Sequence, residues 1–190
     1  MFKQGLWVVG CLLAAQIAAA DQAPEDAAAI AAARQKMCEK TICQHNLRVV
    51  LKQKDGSTYD HTFEVFPGTV QGPSITVVAG QTVYVEADEA GDALANLRAV
   101  TAVSHPEKTL VIKLEQTPDG GMLLTTTNPF KRMLKFDMGM MPLEKNELFK
   151  TSSCPVLGGR QTFEQWPYPL FQVVLGRAKF IEVEGKVACD

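Results

Sequence analysis

Apolar and polar side chains alternate along most of this chain, and this period of two limits what it can fold into. After Cys43 the alternation runs through residues 47–51 and again through residues 59–65, on either side of Lys-Asp-Gly at 54–56. A period of two places one set of side chains on one face of a β-strand, and a short glycine-containing connection makes a hairpin. The pattern predicts two antiparallel strands with one apolar face.

The parity of the apolar residues also predicts the length of the turn. A two-residue Asp-Gly loop would set Leu51 opposite Asp60 and so mix polar with apolar side chains on one face. A three-residue loop at 54–56 instead pairs Leu51 with Tyr59. It also places Gly56 at the left-handed position that this kind of turn requires. We therefore predict the longer loop.

The same turn is predicted a second time, around Pro-Asp-Gly at 118–120, where a three-residue loop pairs Leu114 with Leu124. Residues 93–103 fit either a helix or a strand. Further strands are predicted at 75–77 and 83–87, joined as a meander through Ala79-Gly80, at 134–140, and at 171–175 and 179–183, turning through Gly176.

Together these segments predict an all-β protein, an antiparallel β-sandwich for which an immunoglobulin-like layout is one form. An alanine-rich stretch at 24–40, acidic at its start and basic at its end, predicts one N-terminal α-helix before the strands. The predicted organisation is a signal peptide at 1–20, a helical segment at 21–43 and the sandwich domain at 44–190.

The first twenty residues predict export. Lys3 precedes an apolar run that ends in three alanines at 18–20, and such a run is too short to span a bilayer well. Cleavage near Ala20 is favoured over lipoprotein processing at Cys11, because few apolar residues precede that cysteine. The expected location is the periplasm or the exterior, with no membrane span after cleavage.

Composition argues against a nucleic-acid partner. The chain has 19 lysines and arginines against 21 acidic residues. Removing Lys3 with the signal peptide leaves 18 against 21, a net charge of −3, and the two signs are mixed along the sequence. Binding to nucleic acid normally needs a basic patch, so we expect none.

Four cysteines remain after the signal peptide, an even number that predicts two disulfides in an oxidising compartment. Three pairings are open. We favour Cys38 with Cys43, which closes a short loop, and Cys154 with Cys189, which holds the C-terminal end.

The stretch 152–171 is the least regular part of the chain, with three prolines and a glycine pair. Prolines at 167 and 169 exclude a regular central strand, so the segment is predicted to be an extended loop or an edge. Its four aromatic residues are the candidate partner-binding residues: Phe163, Trp166, Tyr168 and Phe171. Trp166 has two interpretations, an anchor on a binding surface or a plug in the core.

No motif for catalysis, a cofactor or a metal is found. Met138 and Met140 suit copper, but they share an apolar strand face where methionine is ordinary core filler. An acidic turn at 88–92 lacks the spacing of an EF-hand. There is no Gly-x-Ser-x-Gly elbow, and a cysteine held in a disulfide is not a nucleophile.

These observations predict a binding or accessory protein without catalysis or a cofactor, with another envelope or secreted protein as its partner. Two alternatives stay open. A periplasmic copper chaperone would use the methionines and histidines, and a hydrolase would bring polar side chains together in a pocket.

Overall fold

The computed structural model describes residues 42–182, together with residues 29, 32, 33, 35, 36, 38, 39, 188 and 189. The elements with defined bounds over these residues are all strands. They are β1 (Gln44–Lys52), β2 (Thr58–Phe66), β3 (Val70–Gln71), β4 (Ser74–Val78), β5 (Thr82–Ala90), β6 (Ala93–Val100), β7 (Thr109–Gln116), β8 (Met122–Thr127), β9 (Met133–Pro142), β10 (Phe149–Thr151), β11 (Gln161–Trp166) and β12 (Leu170–Ile181).

The strands form two antiparallel sheets. β1 and β2 pair only with each other. The other ten make one sheet in the order β10-β9-β12-β6-β5-β7-β8-β11, with β4 pairing with both β12 and β3. The all-β, antiparallel prediction is confirmed, while the β-sandwich and its immunoglobulin-like layout stay predictions.

The first hairpin has the predicted register. Leu51 lies opposite Tyr59 and Leu47 opposite Phe63. Gly56 has a φ of 85° and donates its backbone N–H to the carbonyl of Gln53 at 3.1 Å. The left-handed glycine thus closes the loop that the parity of the apolar residues requires.

The second hairpin repeats this arrangement between β7 and β8. Leu114 pairs with Leu124 and Gln116 with Met122, as predicted. Gly120 has a φ of 88° and donates to the carbonyl of Thr117 at 2.9 Å. Local turn chemistry therefore accounts for both hairpins.

The predicted meander through Ala79-Gly80 is wrong, although the turn itself is present. Gln81 donates to the carbonyl of Val78 at 3.0 Å, and Gly80 has a φ of 83°. However, β4 pairs with β12 and β3, whereas β5 pairs with β6 and β7. The strands before and after this turn therefore have different neighbours in the sheet. The alternation of side chains does not indicate which strands are neighbours.

The predicted turn at Gly176 is also wrong. β12 continues through this glycine and pairs with β9 on both sides of it, with Gly176 opposite Asp137 and Lys179 opposite Lys135. The register shift between Gly176 and Lys179 is a β-bulge, in which Arg177 has a φ of 44°. A bulge bends a strand without ending it.

The ambiguous stretch 93–103 contains strand β6, Ala93–Val100. The signal peptide predicted at 1–20 lies outside the described residues, as does most of the helix predicted at 24–40. Within the described part of the chain, no helix has the length and apolar character needed to cross a membrane.

The core draws on both sheets. In β4 four consecutive residues from Ile75 to Val78 are buried, so both faces of that strand are covered. The largest fully buried side chains are Phe136, Leu51, Ile75, Leu110, Ile112, Leu114, Met122, Leu124, Leu134, Leu170, Leu175 and Val49.

The β1–β2 hairpin belongs to this core. Val49 and Leu51 are buried, and the Gln116 amide binds the backbone of Lys52 at two points. Lys52 donates its N–H to Gln116 Oε1 at 2.8 Å, and Gln116 Nε2 donates to the Lys52 carbonyl at 2.9 Å. The Gln116 side chain thus makes two hydrogen bonds to the backbone of β1, as a neighbouring strand would.

Candidate functional site

The segment 152–171 contains a strand that the sequence pattern did not resolve. β11, Gln161–Trp166, pairs with β8 and ends the strand order, while β10 lies at the opposite end. Pro167 follows the strand directly, in agreement with the predicted edge position. β11 is therefore an outer strand of the large sheet.

Side chains on the inner face of β11, the face that points into the core, contact β10 and the residues that follow it. The Trp166 indole Nε1 donates to Thr151 Oγ1 at 3.1 Å. Glu164 Oε1 accepts a hydrogen bond from the backbone N–H of Cys154 at 2.8 Å. The outermost strands of the large sheet, β10 and β11, thus contact each other through side chains. We call this contact the seam.

Further polar contacts fix the Cys154 side of the seam. Ser153 Oγ donates to the carbonyl of Phe136 at 2.8 Å, and Lys135 Nζ donates to the carbonyl of Ser153. A disulfide joins Cys154 to Cys189, with 4.2 Å between the Cα atoms. The irregular residues after β10 are therefore held from both sides.

Both favoured disulfides are present. The Cys38–Cys43 bridge closes a short loop, with a Cα separation of 5.4 Å. Disulfides persist in oxidising compartments, so these bridges fit an exported protein.

Glu164 is a buried carboxylate on the inner face of β11. Burial raises its pKa because the charged form loses its water; the Cys154 N–H and the charge of Lys135 oppose this effect. Ionising this carboxylate is therefore less favourable inside the protein than in water.

We expect Glu164→Gln to stabilise the protein at neutral pH. A carboxyl group whose folded pKa is raised stabilises the fold below its unfolded pKa, and that contribution is lost as the pH rises through the folded value. Glutamine keeps an acceptor for the Cys154 N–H and carries no charge. Urea unfolding between about pH 4 and pH 8 should show a stability gain that disappears in acid. Equal stability of the two proteins at neutral pH would contradict the burial argument.

The four candidate aromatic residues do not form one surface. Trp166 is only 8% exposed and belongs to the core, whereas Phe163 on the opposite face of β11 is 59% exposed. Phe171 packs edge-on against Phe63 and Phe66, with ring centroids 5.4 and 5.8 Å apart. The core-plug interpretation of Trp166 is the one that fits the structure.

Tyr168 is half-buried between two other segments. Its hydroxyl donates to Met140 Sδ at 3.6 Å, and the Lys54 ammonium lies 5.6 Å from the centroid of its ring. Tyr168 therefore connects β9 to the turn of the first hairpin, and of the four candidates Phe163 remains as a displayed side chain.

Phe163 lies at the centre of an open sheet edge. Gln161 and Gln165, two positions away on either side, are exposed on the same face. On its outer side, β11 makes no backbone hydrogen bond to any other described residue. The outer edge of β11, defined as residues 161–165, is thus a row of free backbone groups beside a large exposed aromatic ring.

Comparison of the chain with profiles of known protein families, with curated proteins and with solved structures gives no match. The arrangement of its own residues therefore has to carry any functional argument.

Met138 and Met140 both have packing roles. Met138 is buried in the core, and Met140 accepts the hydrogen bond from Tyr168. Over the described ranges, no three histidine, cysteine, aspartate or glutamate residues are grouped so that they could hold a metal ion. The copper alternative stays a prediction.

An arginine offsets part of the negative charge of the acidic turn at 88–92. Arg132 binds Asp92 Oδ1 at 2.5 Å and lies 3.9 Å from Glu89 Oε2. Arg132 also donates to the carbonyl of Gly91 at 2.7 Å. The Arg132 guanidinium thus supplies positive charge at the turn where a calcium ion was considered.

A second buried carboxylate, Glu86, is bound by a histidine and an arginine. His105 Nδ1 lies 2.8 Å from Glu86 Oε1, and Arg98 donates to Oε2. The hydrogen bond from His105 is the main reason that the pKa of Glu86 is lowered, although desolvation opposes it. Thr109 Oγ1 donates to the carbonyl of His105 at 2.6 Å, so the cluster fastens the connection between β6 and β7.

A carboxylate beside a histidine resembles part of a hydrolytic site. Arg98 lines a cavity of about 330 Å³ beside residues 68–72. The contacts of the cluster favour a role in holding the connection between β6 and β7, and the hydrolase alternative stays a prediction.

Neither buried glutamate was predicted. Glu86 lies on β5, and Glu164 lies on β11, two positions before the buried Trp166. That spacing places Glu164 on the inner face once residues 161–166 are known to form a strand. The sequence pattern did not resolve that strand, so it gave no signal for this carboxylate.

Proposed function

We propose that this chain is an exported accessory protein that binds another envelope or secreted protein and performs no catalysis. The predicted signal peptide and the two disulfides support export to the periplasm or the exterior. We further propose that the large sheet folds over to make the two layers of a β-sandwich, closed at the seam by the Glu164–Cys154 and Trp166–Thr151 contacts.

The outer edge of β11 is the observation that carries the proposal. An open edge can accept an extended segment of a partner, whose backbone completes the ladder while alternate side chains give specificity. Phe163 is an aromatic side chain of the kind that anchors such contacts. The one charged side chain of β11, Glu164, points inward, so no charge on the outer face opposes an apolar partner.

The ends of the same strand limit how far pairing can extend. Pro167 lacks a backbone donor and would interrupt a longer ladder. An inward-pointing charge and a proline are both devices that restrict uncontrolled edge association. The partner segment is therefore expected to be short and to pair within residues 161–165.

We expect Phe163→Asp to abolish partner binding and leave the fold intact. The tagged protein is used to capture a partner from envelope extract, and the captured protein is then purified and titrated directly against each variant. Substituting an exposed side chain typically changes stability by about 0.5 kcal/mol or less, so thermal unfolding should barely shift. The matched control is Val50→Asp, an exposed apolar residue on β1. If both variants bind the purified partner as the unmodified protein does, the β11 edge is not the site.

A further inference from the structure

A second surface feature lies on the opposite side of the strand order, across β10, β9 and β12. It is a groove of about 360 Å³, which we call the β10 groove. Its floor contains Gly139 and Gly176, its apolar wall is Leu148 and Val174, and its rim carries Lys150 and Arg177. The Phe149 side chain faces the other side of the sheet, because Phe149 lies opposite Met140. The proposed function does not involve this groove.

The apolar wall is exposed to a degree that is unusual for large side chains. Leu148 is 51% exposed. Gly139, opposite Lys150 in the sheet, leaves the space beside Leu148 open. A Cβ added at Gly139 would meet Leu148 Cδ2 at 3.7 Å, an ordinary contact. The groove therefore exists because a glycine occupies a position that a side chain could fill.

The bulge in β12 gives the other end of the groove a fixed cation. Arg177 has a φ of 44°, a left-handed conformation that residues other than glycine rarely adopt. Bulges re-aim side chains and are frequent beside functional sites. Here the Arg177 Nε lies 2.5 Å from Asp137 Oδ2, which orients the guanidinium at the rim.

The charges at the rim leave a net positive field. Asp137 offsets one of the two cations, Arg177 and Lys150, and Lys150 makes no ion pair with any other described residue. A guanidinium whose Nε is already bound keeps further N–H donors in a planar fork suited to a carboxylate. An anionic group therefore complements this rim better than a cationic one.

The spacing of the strands sets the length of the ligand. Gly139, beside Leu148, lies opposite Val174, and Arg177 is three residues further along β12. One strand spacing across and three residues along make about 11 Å. A molecule that rests on Leu148 must be extended and apolar to reach Arg177 with its charged end. We propose that the β10 groove binds an aliphatic carboxylate, with the chain against the apolar wall and the carboxylate on Arg177.

The test is a titration followed by ¹H–¹⁵N NMR spectroscopy, with octanoate as the probe. Octanoate should shift the backbone resonances of Gly139, Gly176 and Arg177 in a saturable way, whereas octyltrimethylammonium should not. A peptide that ends in leucine provides a carboxylate without a long alkyl chain, and it should also fail to bind. Equal shifts from the cation, or binding of the peptide alone, would overturn the proposal.

Two variants and one control locate the site. Arg177→Gly suits the positive φ and removes the guanidinium, and Gly139→Val fills the groove beside Leu148. Each should weaken octanoate binding by about tenfold or more, the effect expected for a lost charge-assisted hydrogen bond. Lys179→Gln, an exposed charge on β12 outside the groove, should leave binding unchanged. If all three variants bind octanoate equally, the probe does not occupy the groove; the dispersed spectra report folding independently.

Discussion

Replacing Trp166 with alanine should cost about 3–5 kcal/mol of unfolding free energy, the usual range for removing a buried aromatic side chain. Trp166 is 8% exposed and belongs to the hydrophobic core. Its indole also donates to Thr151 Oγ1, so the substitution removes a hydrogen bond at the seam as well as apolar contacts. The loss should appear in urea or guanidinium unfolding as a lower midpoint.

The control for this substitution lies on the same strand. Phe163→Ala removes an aromatic ring three residues away, on the exposed face of β11. Its cost should stay near or below about 0.5 kcal/mol, as for most surface substitutions. If Trp166→Ala were as mild as the control, Trp166 would not be part of the core and the seam would have no energetic basis.

The hairpins could be predicted because every determinant is local. The pairing of Leu51 with Tyr59 and of Leu114 with Leu124 follows from parity and from the glycine that closes each turn. A shift of one residue would move every apolar side chain to the wrong face. For such units, the alternation of side chains contains enough information to set the register.

The partners of β4 and the path of β12 could not be predicted. Both depend on contacts between residues far apart in the chain, and a strand buried on both faces looks the same whichever neighbours it has. Gly176 has the composition of a turn, yet it lies opposite Asp137 within a continuous strand. A glycine signals an unusual backbone, and tertiary pairing decides whether that backbone is a turn or a bulge.

The candidate site was predicted in part. The segment 152–171 was correctly placed at an edge from its prolines, but its aromatic residues were treated as one group. The strand period separates them, because Phe163 and Trp166 are an odd number of residues apart and so face opposite ways. That parity becomes usable only once β11 is known to be a strand.

The seam is made by the inner face of β11, and the outer edge is made by the free backbone groups of the same strand. Stability and the proposed binding therefore depend on one strand. Glu164 and Trp166 hold the inner face in place, so that Phe163 is displayed from a rigid support. A partner strand that bound the outer edge would pair with backbone groups of β11 that are already ordered. Preorganisation of this kind lowers the entropic cost of association.

Removing the Cys154–Cys189 disulfide should destabilise the protein by about 4 kcal/mol in the loop-entropy treatment. The bridge spans 35 residues, against 5 for Cys38–Cys43, and a longer loop constrains the unfolded chain more. The double variant Cys154→Ser, Cys189→Ser should therefore lose more stability than Cys38→Ser, Cys43→Ser, for which the same treatment gives about 2 kcal/mol.

The two double variants also separate a general effect of cysteine loss from an effect on the seam. Cys154 donates its backbone N–H to Glu164, so freeing this residue should loosen the inner face of β11 as well as the C-terminal end. Hydrogen exchange should then speed up at residues 161–166 in the Cys154 variant and stay unchanged there in the Cys38 variant. Equal exchange in both would mean that the disulfide acts only through the unfolded chain, and that Glu164 and Trp166 hold the seam without it.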